Sequence, residues 1–174
     1  MNNTFDKTTK RRLGREGEHP RGDLGQLIIL AVFLTVWIAD SFLFGITTAW
    51  ASAVPLAARL AVSGFFLLAA FDLSRRGHVV LHEKIVREDR LVKDGIFGRV
   101  RHPLYLGALL FYAALTIGTL SLISFATLAG IFLFYNAIAS YEESYLVHKH
   151  GDEYLEYKRK VPKWRPLLSP ARFD

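Results

Sequence analysis

Cysteine is absent from the 174 residues, which excludes disulfides, thiolate metal sites and a cysteine nucleophile. Internal repeats and low-complexity tracts are also lacking, so the chain is neither a solenoid nor a linker-rich array. The most telling absence is one of charge. No Lys or Arg occurs in 46–53 or in 117–123, although the chain holds 22 basic residues.

What is present is apolar and arranged in blocks. Half of the chain is hydrophobic, 51%, with 13 Phe, 7 Tyr and 3 Trp, and these residues follow neither an alternating nor a heptad pattern. A helix needs about 20 residues to cross a hydrocarbon core of about 30 Å. Leu24 to Gly45, Val54 to Leu73, Pro103 to Leu120 and Leu122 to Ser140 meet that requirement. The expected fold is therefore an all-α integral membrane protein with four transmembrane helices arranged as two hairpins. The first block follows a polar stretch, exceeds a signal-peptide core in length and has no small-residue cleavage pattern after it, so it reads as a retained anchor.

Charge placement orients these helices. Six basic residues lie in 1–23, eight in 74–102 and seven from 141 onward, so 21 of the 22 fall on one side of the four-helix arrangement. The positive-inside rule makes that side cytoplasmic, with both termini on it. The expected location is a bacterial or archaeal inner membrane. The net charge of +6 is accounted for by orientation and anionic headgroups, so no nucleic-acid partner is expected.

The organisation is then a polar cytoplasmic tail 1–23, a transmembrane hairpin 24–73, a cytoplasmic connection 74–102, a second hairpin 103–140 and a cytoplasmic segment 141–174. In the connection, HVVLHEKIVREDRLVKDG reads as a short interfacial amphipathic helix with Val79, Leu81, Ile85, Val86 and Val92 as its apolar residues. His78 and His82 have metal-ligand spacing, but two histidines are too few for a site, and His148 and His150 are read the same way; no metal is expected. Three ionisable residues lie in the first hairpin. A turn near 49 and 50 sets Asp40 and Arg59 at one depth, where they are expected to form an ion pair, while Asp72 is expected to be solvated at the cytoplasmic end.

The second hairpin turns near 121, with Gly118, Thr119 and Ser121 at its tip. Residues whose numbers sum to about 243 then share a depth, so Arg101 and His102 meet Glu142 and Tyr141, and Gly107 lies level with Asn136, leaving room for a ligand. Pro103 suits the first helical position and makes His102 the N-cap. The helix start favours an anion and the glutamates favour an ammonium, a combination that suits an amino acid zwitterion beneath Tyr105. The same spacing is met by a plain hairpin clasp of Arg101 on Glu142.

GIFGRVRHPLYLG, followed after a hairpin by YEESYLVHKHGDEYLEYKRKVPKWRP, resembles the isoprenylcysteine carboxyl methyltransferase family, whose relatives include membrane phospholipid methyltransferases. The resemblance implies an integral membrane enzyme that uses S-adenosylmethionine at the cytoplasmic face, with the C-terminal segment closing the cofactor pocket. His102, Pro103, Tyr105, Leu106 and Gly107 fall on the cofactor-binding motif, and Glu142 and Glu143 on the paired glutamates. Arg101 matches the preceding arginine and would orient an anionic acceptor, with Glu142 or Glu143 as base for an amine. Tyr154, Tyr157, Val161 and Pro162 match the tail. The chain departs from the family in carrying Phe97-Gly98 where Tyr-Arg is common. The implied acceptor is a lipid-like, membrane-embedded small molecule, methylated on a carboxylate or other polar group. The rival reading is a non-catalytic assembly factor or haem or quinone binder of the same architecture.

Reporter fusions at residues 50 and 174 check the orientation. They should report opposite sides of the membrane, with residue 174 cytoplasmic.

Overall fold

The computed structural model describes residues 22–85 and 91–173, with side chains over 24–80 and 91–173. The polar tail to residue 21, the His82 side chain and the Val86 end of the expected interfacial helix lie outside the described residues. The described elements are α1 (Gly22–Ile38), continued by a π turn Ala39–Phe44; a 3₁₀ turn Ala49–Ala53; α2 (Leu56–Ile85); a 3₁₀ turn Gly95–Gly98; α3 (Pro103–Thr119); α4 (Leu122–His150); and α5 (Asp152–Lys160). The described residues contain no strand. Leu24–Phe44, Leu56–Val80 and Leu122–His150 are long and apolar enough to cross a membrane. Helix α3 is a shorter apolar helix of 17 residues, about 25 Å long.

Helix α2 differs from expectation. It does not stop at Leu73 and give way to a separate interfacial helix; it runs unbroken for 30 residues to Ile85, about 45 Å. The sequence from Ser74 to Ile85 contains no proline and one glycine, Gly77, so nothing breaks the backbone ladder where hydropathy falls. Asp72 likewise does more than meet solvent, since it pairs with Arg76 one turn on at 2.7 Å.

The two hairpins are not the packing units. Helix α2 lies chiefly along α3, whereas α1 rests on α4 and α3 and scarcely touches α2. Small residues cause the close α2–α3 approach. A Cβ on Gly107 would stand 2.5 Å from Ser74 Oγ and 3.2 Å from the Ala70 carbonyl, and one on Gly77 would stand 2.7 Å from Leu104 Cδ2. Ser63 Oγ donates to the Ala114 carbonyl at 2.8 Å in the same seam. Close approach of small residues is how membrane helices gain dispersion where the hydrophobic effect is lacking. Gly107 therefore serves the α2 contact, and the space expected between it and Asn136 is not there: counting residues from a turn gives depth but not the side of the helix.

On the other side of α3, Phe33, Leu109, Tyr112, Ile131 and Tyr135 form the core shared by α1, α3 and α4. Phe33 and Tyr112 meet edge-on with ring centres 4.7 Å apart. Trp37 ties α1 to α3 by donating to the Leu115 carbonyl and Thr119 Oγ1, both at 3.1 Å.

Asp40 is buried, but Arg59 is not its partner. Its carboxylate accepts the Thr47 N–H at 2.9 Å and the hydroxyls of Thr47 and Ser121. Ser121 caps α4 by accepting the Ser124 N–H at 3.1 Å, and Thr47 Oγ1 accepts the Ile123 N–H at 3.2 Å. The carboxylate thus sits at the positive end of α4, reached through two hydroxyls that also cap the helix. Arg59 instead donates to the Gly118 carbonyl at 3.4 Å. The ion pair fails because the two residues belong to helices that α3 keeps apart.

Asp40→Ala should destabilise the protein by about 1.5–3 kcal/mol, as expected for hydrogen bonds to a charged group. Arg59→Ala should cost less, and the double variant should lose the sum of the two, since the residues share no partner. Thermal melting of the four proteins in one detergent checks this; a double loss well below the sum would restore the ion pair.

Candidate active site

The start of α3 and the end of α4 are brought together by the segment before α3. Gly95, at φ 58°, opens the 3₁₀ turn, and Ile96 and Val100 anchor it against Leu73 of α2. His102 takes the N-cap position with φ −121° and ψ 66°, and Pro103 the first helical position, as the sequence implies. The His102 side chain makes no capping bond to the helix start, so it is available to α4.

Glu143 is the centre of the arrangement. Its side chain is 5% exposed, and Arg101 Nε, with a side chain 9% exposed, lies 3.0 Å from Oε1. His102 Nε2 is 3.1 Å from the same oxygen, and Lys158 Nζ is 3.2 Å from Oε2. Burial lowers the His102 pKa below its ordinary 6.5, against the opposing pull of Glu143. The charges of Lys163 and Arg101 lower it further.

Arg101 does more than pair. Its Nη1 donates to the Lys158 and Val161 carbonyls, both at 2.8 Å, and its backbone N–H to the Pro162 carbonyl at 3.0 Å. The last segment continues alongside: Leu167 N–H reaches the Arg99 carbonyl at 3.0 Å, and Ala171 N–H the Gly98 carbonyl at 2.8 Å. Tyr157, buried with Tyr154 and Val161 in their own cluster, donates to the Phe97 carbonyl at 2.8 Å. Gly98 follows from this strap. A Cβ there would lie 3.0 Å from the Lys93 carbonyl and 3.3 Å from Pro170 Cβ, which accounts for glycine at the position.

Glu142 points elsewhere, because adjacent helix positions are turned about 100° apart. Its side chain is 20% exposed, Oε1 accepts the Tyr105 hydroxyl, and Oε2 lies 3.7 Å from His102 Nδ1. The His102 and Tyr105 rings are nearly parallel, 7° apart with centres 5.7 Å apart, and the Trp164 ring stands 5.9 Å from that of His102. A half-open carboxylate beside a run of aromatic faces fits an ammonium joined to a ring system.

The structure therefore brings His102, Pro103, Tyr105, Glu142, Glu143 and Arg101 together and turns Gly107 and Leu106 away, the first against α2 and the second into the cluster of Leu73, Ile96 and Val100. Arg101 meets Glu143 rather than Glu142, and His102 lies between the two glutamates rather than against Tyr141. Sequence reasoning missed Lys158, Lys163, Trp164 and the use made of Asn136. Lys163 Nζ donates to the Asn136 carbonyl at 3.1 Å, Asn136 Oδ1 at 3.0 Å and Ser140 Oγ at 2.8 Å, while Trp164 Nε1 donates to Asn136 Oδ1 at 3.2 Å. The signal was the polar Asn136 and Ser140 at helical spacing in an apolar block, with VPKW on the segment that returns to them.

Comparison with known proteins identifies the family. The phospholipid methyltransferase family model matches residues 54–153. The chain belongs to the phospholipid methyltransferase family. It is 34% identical to human protein-S-isoprenylcysteine O-methyltransferase over 108 residues, 58% of this chain and 36% of that protein. The fission yeast protein of the same name is 33% identical over 96 residues, 52% and 39% of the two chains. Methanethiol S-methyltransferase of Crocosphaera subtropica is 31% identical over 105 residues, 59% and 40%. The chain thus spans well under half the length of these relatives. No solved structure matches it. The span matched by the phospholipid methyltransferase model runs from the start of α2 into α5, so it contains both glutamates, Arg101 and His102 but neither α1 nor the terminal strap.

Arg101→Ala strands a buried carboxylate and frees the strap, so it should destabilise the protein by about 3–5 kcal/mol. Lys158→Ala, at the exposed edge of the cluster, should cost far less. Melting in detergent, with limited proteolysis after residue 160 as a second readout, checks the contrast.

Proposed function

We propose that this chain is an integral membrane methyltransferase that takes its methyl group from S-adenosylmethionine and delivers it, at the cytoplasmic face, to a polar group of a lipid-like amphiphile. The observation that carries this reading is the division of labour between adjacent glutamates. Glu143 is buried among Arg101, His102 and Lys158, whereas Glu142, bonded by Tyr105, is 20% exposed at the edge of the site beside His102. Family membership and the methyltransferase names of the relatives support the same reading and do not favour a haem or quinone binder.

In this reading Glu142 holds the cofactor's ammonium, with Tyr105 fixing the carboxylate's direction, and the aromatic faces of His102, Tyr105 and Trp164 flank its rings. The cofactor supplies an electrophilic methyl group on a sulfonium, which needs alignment rather than covalent help from the chain. Arg101 is a positioning residue: it sets Glu143 and His102 and holds the strap over the α3 start. A groove of about 480 Å³, lined by Leu27, Leu30, Ala108, Phe111, Tyr112 and Tyr135, opens between α1 and α3. The Tyr135 ring is 5.2 Å from that of Tyr105, so the groove offers an apolar acceptor tail a lateral route to the site. Four spans, with α3 the shortest, complete the topology.

Calorimetric titration with S-adenosylhomocysteine tests the assignment. Glu142→Gln should weaken binding by about ten-fold or more, since a hydrogen bond to a charged group is worth about 1.5–3 kcal/mol. Tyr105→Phe should weaken it less, and both should melt nearer the parent than Arg101→Ala does, because Glu142 is only partly buried. Parent-like affinity in Glu142→Gln would overturn the site, and absence of binding by the parent would overturn the function.

A further inference from the structure

The cations at the cytoplasmic face are not used alike. Arg101 and Lys158 meet Glu143, Lys93 meets Glu153 and Lys160 meets Glu156, each within salt-bridge distance. Among the described residues, Lys163 is held differently. Its ammonium rests on three neutral oxygens, the Asn136 carbonyl, Asn136 Oδ1 and Ser140 Oγ, with no carboxylate in salt-bridge range. Burial lowers its pKa below the usual 10.5, against the more distant pull of Glu143, whose own contacts are taken by Arg101, His102 and Lys158. Hydrogen bonds from neutral acceptors orient an ammonium without pairing its charge directly.

Position gives that charge a use. Asn136 lies nearly two turns deeper into α4 than Glu143, so the strap carries a cation from the cytoplasmic end toward the apolar stretch of the helix. Lys163 Nζ stands 5.7 Å from the centre of the Trp164 ring. That ring lies between His102, 5.9 Å away, and Phe132, 5.7 Å away, and Phe132 and Leu133 are exposed on α4. One side of Lys163 is therefore the aromatic wall of the cofactor site and the other an apolar helix face. A cation at such a border suits a ligand with an anionic head and an apolar tail, and Arg101, turned inward, is committed to Glu143 and the strap.

We propose that Lys163 binds the anionic head of the methyl acceptor, a carboxylate or phosphate on a lipid-like tail, and so sets the enzyme's preference for acidic amphiphiles. The strap then has two functions, closing the α3 start through Arg101 and presenting the acceptor's counter-ion through Lys163. The inference rests on the proposed methyltransferase reading and deepens it by naming the charge of the acceptor.

The test uses the full chain in nanodiscs of zwitterionic lipid, with nitroxide-labelled stearate and labelled stearamide as probes and the immobilised spectral fraction as the readout. The parent should prefer the stearate by about ten-fold, the scale of exchanging one neutral acceptor on the Lys163 ammonium for a charged one. Lys163→Gln should lose that preference and Lys163→Arg should keep it. The stearate-to-stearamide ratio is taken within each variant, so a general loss of folded protein does not imitate the result. Unlabelled hexadecanoate and hexadecyl phosphate serve as competitors: displacement by either supports the proposal and identifies the head, and displacement by neither overturns it. A ratio in Lys163→Gln equal to the parent's also overturns it. S-adenosylhomocysteine affinity should be unchanged in Lys163→Gln, so a parent that binds this cofactor product but shows no stearate preference refutes the acceptor assignment alone.

Discussion

A carboxylate taken almost wholly out of water must find cations and donors or give up its charge, and Glu143 finds them on three separate parts of the chain. Arg101 comes from the loop before α3, His102 from the α3 cap and Lys158 from the end of α5. One buried charge therefore fixes the relative places of α3, α4 and the C-terminal segment. The consequence for function is indirect but large. With Glu143 held from three sides, its neighbour Glu142 is presented outward at a defined angle, and the His102 ring is locked where Tyr105 and Trp164 can flank the same space.

The opposite end of the molecule uses the same logic with neutral donors. Asp40 is held by the Thr47 and Ser121 hydroxyls, which at the same time satisfy the first N–H groups of α4. Helix α4 is thus tied at both ends through carboxylates, one from its own sequence and one from α1. Between these ends, α3 is gripped by α2 through small residues and by α1 and α4 through aromatic rings. Leu120, the turn between α3 and α4, adopts the left-handed conformation at φ 55°, which costs a leucine about 1–2 kcal/mol. Burial of its side chain offsets part of that cost.

The strap also fixes residue choice in the loop before α3. The space that a side chain at Gly98 would take is filled by the Lys93 carbonyl and by Pro170 of the strap. The same strap delivers Lys163 to Asn136 and Ser140. Glycine at position 98 and the placement of a cation on α4 are therefore joined by a single physical feature, the close return of residues 161–173 along residues 97–101.

Much was legible in the sequence because its signals are local or concern the solvent. Apolar blocks of helical length identify spanning segments wherever they pack, Pro103 after His102 marks a helix start, and the quoted motifs gather Arg101, His102, Tyr105, Glu142 and Glu143 at one end of a hairpin. Tertiary structure decided which helices are neighbours and which way each side chain turns. Counting from the turns sets Asp40 level with Arg59, yet they make no pair, and Gly107 faces α2 although the same counting sets it level with Asn136. Adjacent glutamates that look alike in sequence differ by about 100° around one helix, which is enough to bury one and open the other. Lys163 shows the same limit, since only the course of the strap brings it to α4. Depth is a property of distance along the chain, whereas partnership depends on rotation about the helix axis and on contacts between segments far apart in sequence, and neither is written in any single stretch of residues.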